Sequence, residues 1–347
     1  MPDAFDIEDV PALLAYLRQT RRIAPGEHPR IAILQGGVSN RTVLVERESG
    51  EAWVLKQALA KLRVPVDWFS SPERIHREAL GLRWLARLAP PGSITPLLFE
   101  DRERHLLAMQ AVPQPHENWK TVLLAGEICA DHFQQFATLL ATIHREAHGR
   151  VDLAELFGDR SFFESLRLEP YYGYSAQQAP AAAAFLDSLI RETLACRITL
   201  VHGDYSPKNV LIHEGRMVLL DHEVIHFGDP AFDLGFSLTH FLSKAHHLPA
   251  LRREFASAAR EYWRVYSEGL GAPAWPGWAA DLEPRAVRHT LACLLARVVG
   301  RSPLEYLDAG ERIRQRDAVL RIVPSAPASI ADLISQFEER LCLSSSA

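Results

Sequence analysis

The 347-residue chain lacks the marks of several large protein classes. Its four cysteines are far apart and form no CxxC pair, which argues against a zinc knuckle or a redox dithiol and suits a reducing cytosol. No segment approaches the roughly 20 apolar residues of a membrane helix, and the N-terminus is acidic where a secretory signal is basic. The formal net charge of -5 leaves no basic excess for nucleic acid or an anionic membrane. We therefore expect a cytoplasmic protein that binds neither nucleic acid nor a membrane. The sequence leaves its oligomeric state open.

Lysine is also scarce, although arginine is plentiful. It occurs only at Lys56, Lys61, Lys120, Lys208 and Lys244. In a chain that otherwise uses arginine, a lysine can mark a site whose function requires a compact point charge. For any single lysine, however, chance is the default explanation. Neither a GxGxxG nor a Walker GxxxxGK[ST] sequence is present, which excludes the ordinary P-loop nucleotide sites.

The pattern of apolar residues divides the chain into a β-rich first third and a mainly helical remainder. In the first third we predict helices at 8–20 and 72–88 and strands at 31–34, 42–46, 53–56, 94–99 and 105–111. Beyond it we predict helices at 131–147, 179–196, 232–247, 249–268, 283–298 and 328–341, with short strands at 198–201, 210–213 and 217–221. The proline-bearing stretch 111–115 marks the change in character. The sequence thus predicts an α+β fold with an N-terminal lobe at 1–112 and a C-terminal lobe at 113–347.

The strongest chemical signal is the segment LVHGDYSPKNVLI at 200–212, followed by VLLDHE at 218–223. Apolar strand pieces flank a polar loop with Asp204 and Asn209, and a second apolar strand delivers Asp221 to the same neighbourhood. Phosphoryl transfer needs a carboxylate that accepts the hydroxyl proton, and oxygen ligands for the magnesium on the nucleotide phosphates. We therefore assign Asp204 as the catalytic base and Asn209 and Asp221 as metal ligands.

A lysine and a glutamate in the β-rich third are predicted to pair. Lys56 ends an apolar strand, where an unpaired ammonium group would be costly to bury. In the helix that follows, Ile75 and Leu82 lie on the inward stripe, and Glu78 lies on the same stripe and needs a cation. Lys56 is the expected partner. The alternatives are that Glu78 pairs with Arg74 or is solvated.

Three motifs together resemble one known family. HGDYSPKN at 202–209 followed by LLDHE at 219–223 resembles the catalytic and metal-binding loops of the aminoglycoside phosphotransferase and choline kinase superfamily, relatives of protein kinases. GDPAFDLG at 228–235 resembles the GDPxxDLA segment of that family, and QGGVSNRT at 35–42 resembles its GGxSN turn. The resemblance implies a protein-kinase-like two-lobed fold with ATP and Mg²⁺ as cofactors.

The resemblance also implies which residues bind the nucleotide. The backbone N–H groups of the glycine turn can approach phosphates, and the backbone near the lobe boundary can bind the adenine edge. The implied nucleotide-binding residues are Gly36, Gly37, Ser39, Asn40, Lys56, Glu78, Gln110 and Val112. His202 is implied to brace the catalytic loop.

We therefore predict an ATP-dependent phosphotransferase that transfers the γ-phosphate to a hydroxyl of a sugar, an amino alcohol, a hydroxylated amino acid or an aminoglycoside. The chain has no dense acidic cluster of the kind that a polycationic aminoglycoside demands, so a neutral or singly charged acceptor is at least as well supported. ATP and GTP are not distinguished, and contacts of 161–175 and 297–306 with the acceptor stay open.

Two other functions compete with this prediction. A metal-dependent hydrolase would use His202, Asp204, Asp221 and His222 as ligands, but it leaves the Lys56–Glu78 pair and the glycine turn without a purpose. A non-catalytic nucleotide-binding pseudokinase is the second alternative. Against it, the chain has every residue type that catalysis requires.

Overall fold

The computed structural model describes residues 5–35, 37–64, 67–272 and 275–343. The helices of this part are Val10–Gln19 (α1), Arg74–Leu88 (α2), Trp119–Leu124 (α3), Ala130–Ala147 (α4), Val151–Leu156 (α5), Ser161–Phe163 (α6), Tyr174–Gln178 (α7), Ala183–Ala195 (α8), Ala231–His247 (α9), Arg252–Gly269 (α10), Leu282–Val299 (α11), Ala309–Ile322 (α12) and Ile330–Leu343 (α13). The strands are Arg30–Ile33 (β1), Asn40–Glu46 (β2), Ala52–Ala58 (β3), Leu97–Asp101 (β4), Leu106–Gln110 (β5), Glu117–Asn118 (β6), Thr199–Val201 (β7), Val210–His213 (β8), Arg216–Leu219 (β9) and His226–Gly228 (β10). A π-helical segment, Glu164–Gly173, joins α6 to α7.

The N-terminal part is a five-stranded antiparallel sheet in the order β1-β2-β3-β5-β4, with a helix on each face. Side chains alternate between the two faces of a strand. In β5, Leu106 and Ala108 therefore pack with α1 residues in one core, whereas Leu107 and Met109 join the core that contains α2. The same alternation in β3 puts Leu55 on the α1 face. Its neighbour Lys56 consequently points to the α2 face.

The remainder is helical, and its centre is the buried helix α9. Every residue of α9 from Ala231 to His246 is buried. α9 packs against α11 and α10, and α10 packs in turn against α4. Two small antiparallel pairings, β7 with β10 and β8 with β9, form beside these helices. Since both pairings flank the polar loops at 202–209 and 220–225, they fix the positions at which those loops begin and end.

Most predicted elements are present, with shifted ends. The strand predicted at 94–99 lies instead at Leu97–Asp101, because Pro96 has no N–H for a sheet ladder; Ile94 makes an isolated parallel bridge with Leu219. The last strand of the five-stranded sheet, β5, ends at Gln110. The division of the chain into two lobes at residue 112 stays a prediction. Within the described ranges, no helix has the length and apolar composition needed to cross a membrane.

Candidate active site

The loop that follows β7 is clamped by a buried carboxylate on α9. Asp233 accepts hydrogen bonds from the backbone N–H of His202 at 2.7 Å and from that of Gly203 at 2.8 Å. His144 Nε2 lies 3.4 Å from the same carboxylate. Burial alone would raise the pKa of Asp233, but the contact with His144 and the backbone bonds keep it below its usual value. An ionised Asp233 therefore fixes the start of the loop before any substrate binds.

The loop presents Asp204 with one oxygen held and one oxygen accessible to a substrate. Asn209 Nδ2 donates to Asp204 Oδ2 at 2.8 Å and to the Asp204 carbonyl at 3.0 Å. Arg167 Nη2 lies 2.8 Å from the same Oδ2 atom. Because both partners bind Oδ2, Oδ1 is the oxygen that can face a substrate hydroxyl.

Arg167 is a residue of this site that sequence reasoning missed. It lies in the π-helical segment, and its Nε donates to the Gly203 carbonyl at 3.0 Å. Burial alone would lower the pKa of Arg167, but the Asp204 carboxylate raises it above the usual value, so the guanidinium stays charged. The segment 161–175 is rich in aromatic residues, and no spacing rule connects an arginine there with Asp204.

Lys56 binds two carboxylates at once. Its Nζ atom is 2.6 Å from Glu78 Oε1 on α2 and 2.9 Å from Asp221 Oδ1 in the loop after β9. Burial raises the pKa of Asp221, but Lys56 outweighs burial and holds this pKa below its usual value. Glu78 is fully buried, and burial together with the charge of Asp221 raises its pKa to about 7 despite the contact with Lys56. The two carboxylates thus share one ammonium group and differ in acidity.

Asn209 and Asp221 are neighbours across a backbone hydrogen bond. The N–H of Leu220, the residue before Asp221, donates to the Asn209 carbonyl at 2.9 Å. Asp221 has a positive φ of 68°, an uncommon backbone state for a non-glycine residue that aspartate tolerates better than most. Since the amide nitrogen of Asn209 is bound to Asp204, its amide oxygen is the atom available to a cation. Carboxylate and amide oxygens are the donors that Mg²⁺ prefers, so these residues fit that ion.

Glu223 joins the glycine turn to α2, and burial together with the charge of Asp221 raises its pKa above the usual value. It accepts from Arg74 Nε at 3.1 Å and from Asn40 Nδ2 at 3.3 Å. Arg74 is fully buried and also donates to the Ser39 carbonyl. Pairing of Arg74 with Glu78, one of the alternatives above, is therefore wrong, because Arg74 is occupied by Glu223. Gly36 lies outside the described residues.

Helix α2 approaches the loop after β9 very closely. At Gly81, an added Cβ would lie 2.9 Å from the His222 Cβ and 3.2 Å from a methyl group of Ile225. Gly81 follows Glu78 by three residues on the same face of α2. This close packing sets the distance between the helix that carries Glu78 and the loop that carries Asp221.

A cavity of about 850 Å³ begins at Lys56 and extends along the sheet to the end of β5. Apolar side chains of Leu44, Val54 and Met109 line its walls. Of the predicted nucleotide-binding residues, Lys56, Gln110 and Val112 also line it, whereas Gly37, Ser39, Asn40 and Glu78 do not. Leu211 and Leu220, which lie next to the two polar loops, also line it.

The ligand set of the hydrolase alternative does not assemble. His202 Nδ1 accepts from the Asp204 N–H at 3.2 Å, and His202 Nε2 lies 3.1 Å from His222 Nδ1. Both nitrogens of His202 are therefore used within the protein. Among the residues that the structure describes, the one group of three or more His, Cys, Asp and Glu side chains with suitably close ligand atoms is Glu73, His76 and His105, which lies elsewhere.

Comparisons with known proteins find kinases with a similar sequence or fold. A methylthioribose kinase from Pectobacterium carotovorum subsp. carotovorum is 24% identical over 88% of this chain and 82% of its own. Amicoumacin kinase hAmiN superposes with a TM-score of 0.56 at 14% identity over 94% of this chain and 99% of its own. The macrolide 2'-phosphotransferase MphH from Brachybacterium faecium superposes with a TM-score of 0.52 at 20% identity over 89% and 97%. These superpositions confirm the predicted α+β, kinase-like fold.

A family match covers most of the chain. Residues 30–280 match the phosphotransferase enzyme family. This range includes β1 to β5, α2 and both polar loops. The chain therefore belongs to the phosphotransferase enzyme family and is a kinase of small molecules.

Proposed function

We propose that the protein transfers the γ-phosphate of ATP to a hydroxyl group of a sugar, with Asp204 as the base and Asn209 and Asp221 as magnesium ligands. The observation that carries this proposal is the double ion pair of Lys56, which lies within 2.9 Å of both Glu78 and Asp221 at the end of the cavity. A phosphate-binding cation and a metal ligand are thereby neighbours at one end of a space large enough for a nucleotide.

The nucleotide would lie along the cavity with its base at the far end from Lys56. The walls there are apolar, as a purine requires, and the backbone at Gln110 and Val112 would meet the adenine edge. Gly37, Ser39 and Asn40 would cover the phosphates from the side where Arg74 and Glu223 hold the turn in place. When bound, Mg²⁺ neutralises charge on the phosphate oxygens during transfer.

Asp204 would orient the acceptor hydroxyl through Oδ1 and receive its proton. Arg167 and Asn209 hold Oδ2, so the carboxylate cannot rotate freely about its Cβ–Cγ bond. Since the transition state of phosphoryl transfer is sensitive to the line of attack, this restraint contributes to the rate through positioning. The geometry around Asp204 also argues against a pseudokinase, because the base is oriented and reachable.

Two observations favour a sugar as the acceptor. The methylthioribose kinase relative aligns with 88% of this chain, so the similarity includes the helical part that would bind the acceptor. Arg167 neutralises the Asp204 carboxylate, so this carboxylate offers a polycation such as an aminoglycoside no unpaired negative charge at the point of attack. A neutral, hydroxyl-rich molecule does not depend on such a charge.

The experiment is a coupled ADP-release assay with Mg²⁺ and ATP against methylthioribose, other pentoses and hexoses, choline and an aminoglycoside. We expect acceptor-dependent ADP release with a pentose derivative, and about 100-fold or greater loss of kcat in Asp204→Asn. Nucleotide binding without turnover on any acceptor would support the pseudokinase. Phosphate release without nucleotide would refute the kinase assignment.

A further inference from the structure

Three potential metal ligands meet at the outer edge of the N-terminal sheet, away from the nucleotide cavity. Glu73 immediately precedes α2, His76 lies in its first turn, and His105 lies in the turn between β4 and β5. His76 Nε2 is 3.3 Å from His105 Nδ1, and His105 Nδ1 is 3.5 Å from Glu73 Oε1. All three ligand atoms lie within 4.8 Å of one another. We propose that Glu73, His76 and His105 form a binding site for a divalent transition-metal ion, Zn²⁺ by the chemistry of the ligands.

Two of the three separations match those around a tetrahedral ion, and the third, between Glu73 and His76, is at most 4.8 Å. With metal–ligand distances of about 2.0–2.1 Å, neighbouring ligands of a tetrahedral zinc ion lie about 3.3–3.4 Å apart. The His76–His105 distance equals that edge, and the His105–Glu73 distance exceeds it by little. Two histidines and one glutamate form a common zinc ligand set, with water as the fourth ligand.

A second carboxylate orients the buried histidine. His76 Nδ1 lies 2.7 Å from Glu100 Oε1, and Arg83 donates to the other oxygen of Glu100 at 2.5 Å. Because an ionised carboxylate only accepts hydrogen bonds, the proton of this contact is on His76 Nδ1. The lone pair of His76 is then on Nε2, the atom that faces His105. Metal-binding histidines commonly donate their other N–H to a carboxylate in this way.

The cluster is accessible to an ion. His76 and Glu100 are buried, whereas 58% of the Glu73 side chain and 34% of the His105 side chain are exposed. Glu73 and His76 are three residues apart, a spacing that puts both side chains on one face of a helix. His105 has a positive φ of 46°, so its ring leaves the turn in a direction that an ordinary backbone would not give. A bound ion would join the first turn of α2 to the β4–β5 turn.

The experiment measures metal uptake by the full-length chain without nucleotide, so it does not depend on catalysis. Metal-stripped protein is titrated with Zn²⁺ and Co²⁺, with bound metal counted by elemental analysis and coordination followed by Co²⁺ absorption. All variants carry Cys129→Ser and Cys342→Ser, because exposed cysteine thiolates are zinc ligands in general and would add background binding. We expect one ion per chain, a Co²⁺ spectrum of tetrahedral N,O coordination, and a melting temperature that rises with metal concentration.

Two variants test the ligands without disturbing the core. Glu73→Gln keeps the shape of an exposed side chain, and His105→Asn keeps a residue that tolerates positive φ. Loss of a residue that only hydrogen-bonds to a metal ligand typically weakens metal binding by roughly 10- to 100-fold. Loss of a ligand itself, as in each of these variants, should weaken it by at least as much. His28→Asn removes an exposed histidine elsewhere in the same sheet region and should change nothing, and Asp221→Asn should likewise keep the ion.

The same distances also allow a metal-free hydrogen-bonded chain from Glu100 through His76 and His105 to Glu73. The proposal is overturned if the stripped protein takes up no stoichiometric ion. It is equally overturned if Glu73→Gln and His105→Asn bind Zn²⁺ as tightly as His28→Asn does.

Discussion

Replacing Arg167 by methionine tests how the carboxylate of Asp204, the proposed base, is held. The Arg167–Asp204 contact of 2.8 Å corresponds to a Coulomb attraction of about 6 kcal/mol at an effective dielectric constant of about 20. Desolvation of both groups offsets part of it, and removal of one partner of a buried pair typically costs about 3–5 kcal/mol of stability. Methionine retains most of the apolar volume, so the loss is mainly electrostatic.

The kinetic expectation follows from which atom Arg167 contacts. Asn209 would remain the only partner of Oδ2 among those described above, and the carboxylate would turn more freely. A positioning error of this kind costs roughly 10²-fold in kcat. The KM for ATP should change little, because Arg167 does not line the nucleotide cavity. Arg167→Lys should recover part of kcat, since it keeps the charge but loses the bond to the Gly203 carbonyl.

A double-mutant cycle decides between positioning and direct binding of the acceptor. If Arg167 acts through Asp204, Arg167→Met should cost little further kcat in an Asp204→Asn background, because the two residues act as one unit. Rates are measured by ADP release and stability by denaturant unfolding. Wild-type kcat in Arg167→Met, or additive losses in the double variant, would refute the positioning role. A raised KM for the acceptor alone would mean that Arg167 contacts the substrate.

Two further predictions concern the carboxylates that share Lys56. Asp221→Asn suits the same backbone conformation but removes the charge of a proposed magnesium ligand, so Mg²⁺-dependent turnover should fall by about 10²-fold or more. An unchanged rate profile against Mg²⁺ concentration would contradict the assignment. Glu78 has a pKa raised to about 7, so the folded state binds more protons than the unfolded state between about pH 4.5 and 7. Its contribution to stability is fully present below pH 4.5 and is lost as pH rises through 7, by about 3 kcal/mol in total. The unfolding free energy of wild type relative to Glu78→Gln, measured from pH 4 to 8, should fall over this window, and a parallel pair of curves would exclude the raised pKa.

Local patterns predicted the fold well because they decide secondary structure. Helices with a strong apolar period were found within a few residues, as α4 at Ala130–Ala147 against a prediction of 131–147 shows. By the rules for an N-cap serine followed by a proline in the first turn, the sequence predicts a helix start at Ser302-Pro303. The helix found in this region is α12, and it starts later. The helix begins at Ala309 after Asp308, whose side chain accepts from the N–H of Glu311 in a capping box. Both positions satisfy the local rules for a helix start, and only the tertiary packing distinguishes them.

Some contacts of the candidate site could be predicted from the sequence, and others could not. The Lys56–Glu78 contact followed from a physical conflict visible in the sequence, because a carboxylate on an apolar helix face needs a cation. Arg167 and the Arg74–Glu223 pair gave no such signal. Their partners lie 37 and 149 positions away in the sequence, and arginine is so frequent in this chain that neither position stands out. The roles of all these residues in catalysis stay predictions until the variants are measured.

Gly81 shows that an inactive enzyme can arise without any change to a polar residue. The smallest possible addition, one methyl group, would have to displace either His222 or the whole of α2. Because an α-helix moves largely as a rigid unit, a shift at Gly81 would also displace Glu78, one turn earlier in α2. The contact between Glu78 and Lys56 would then lengthen. In a newly found relative, the residue at this position is therefore as informative about competence as the acidic residues themselves.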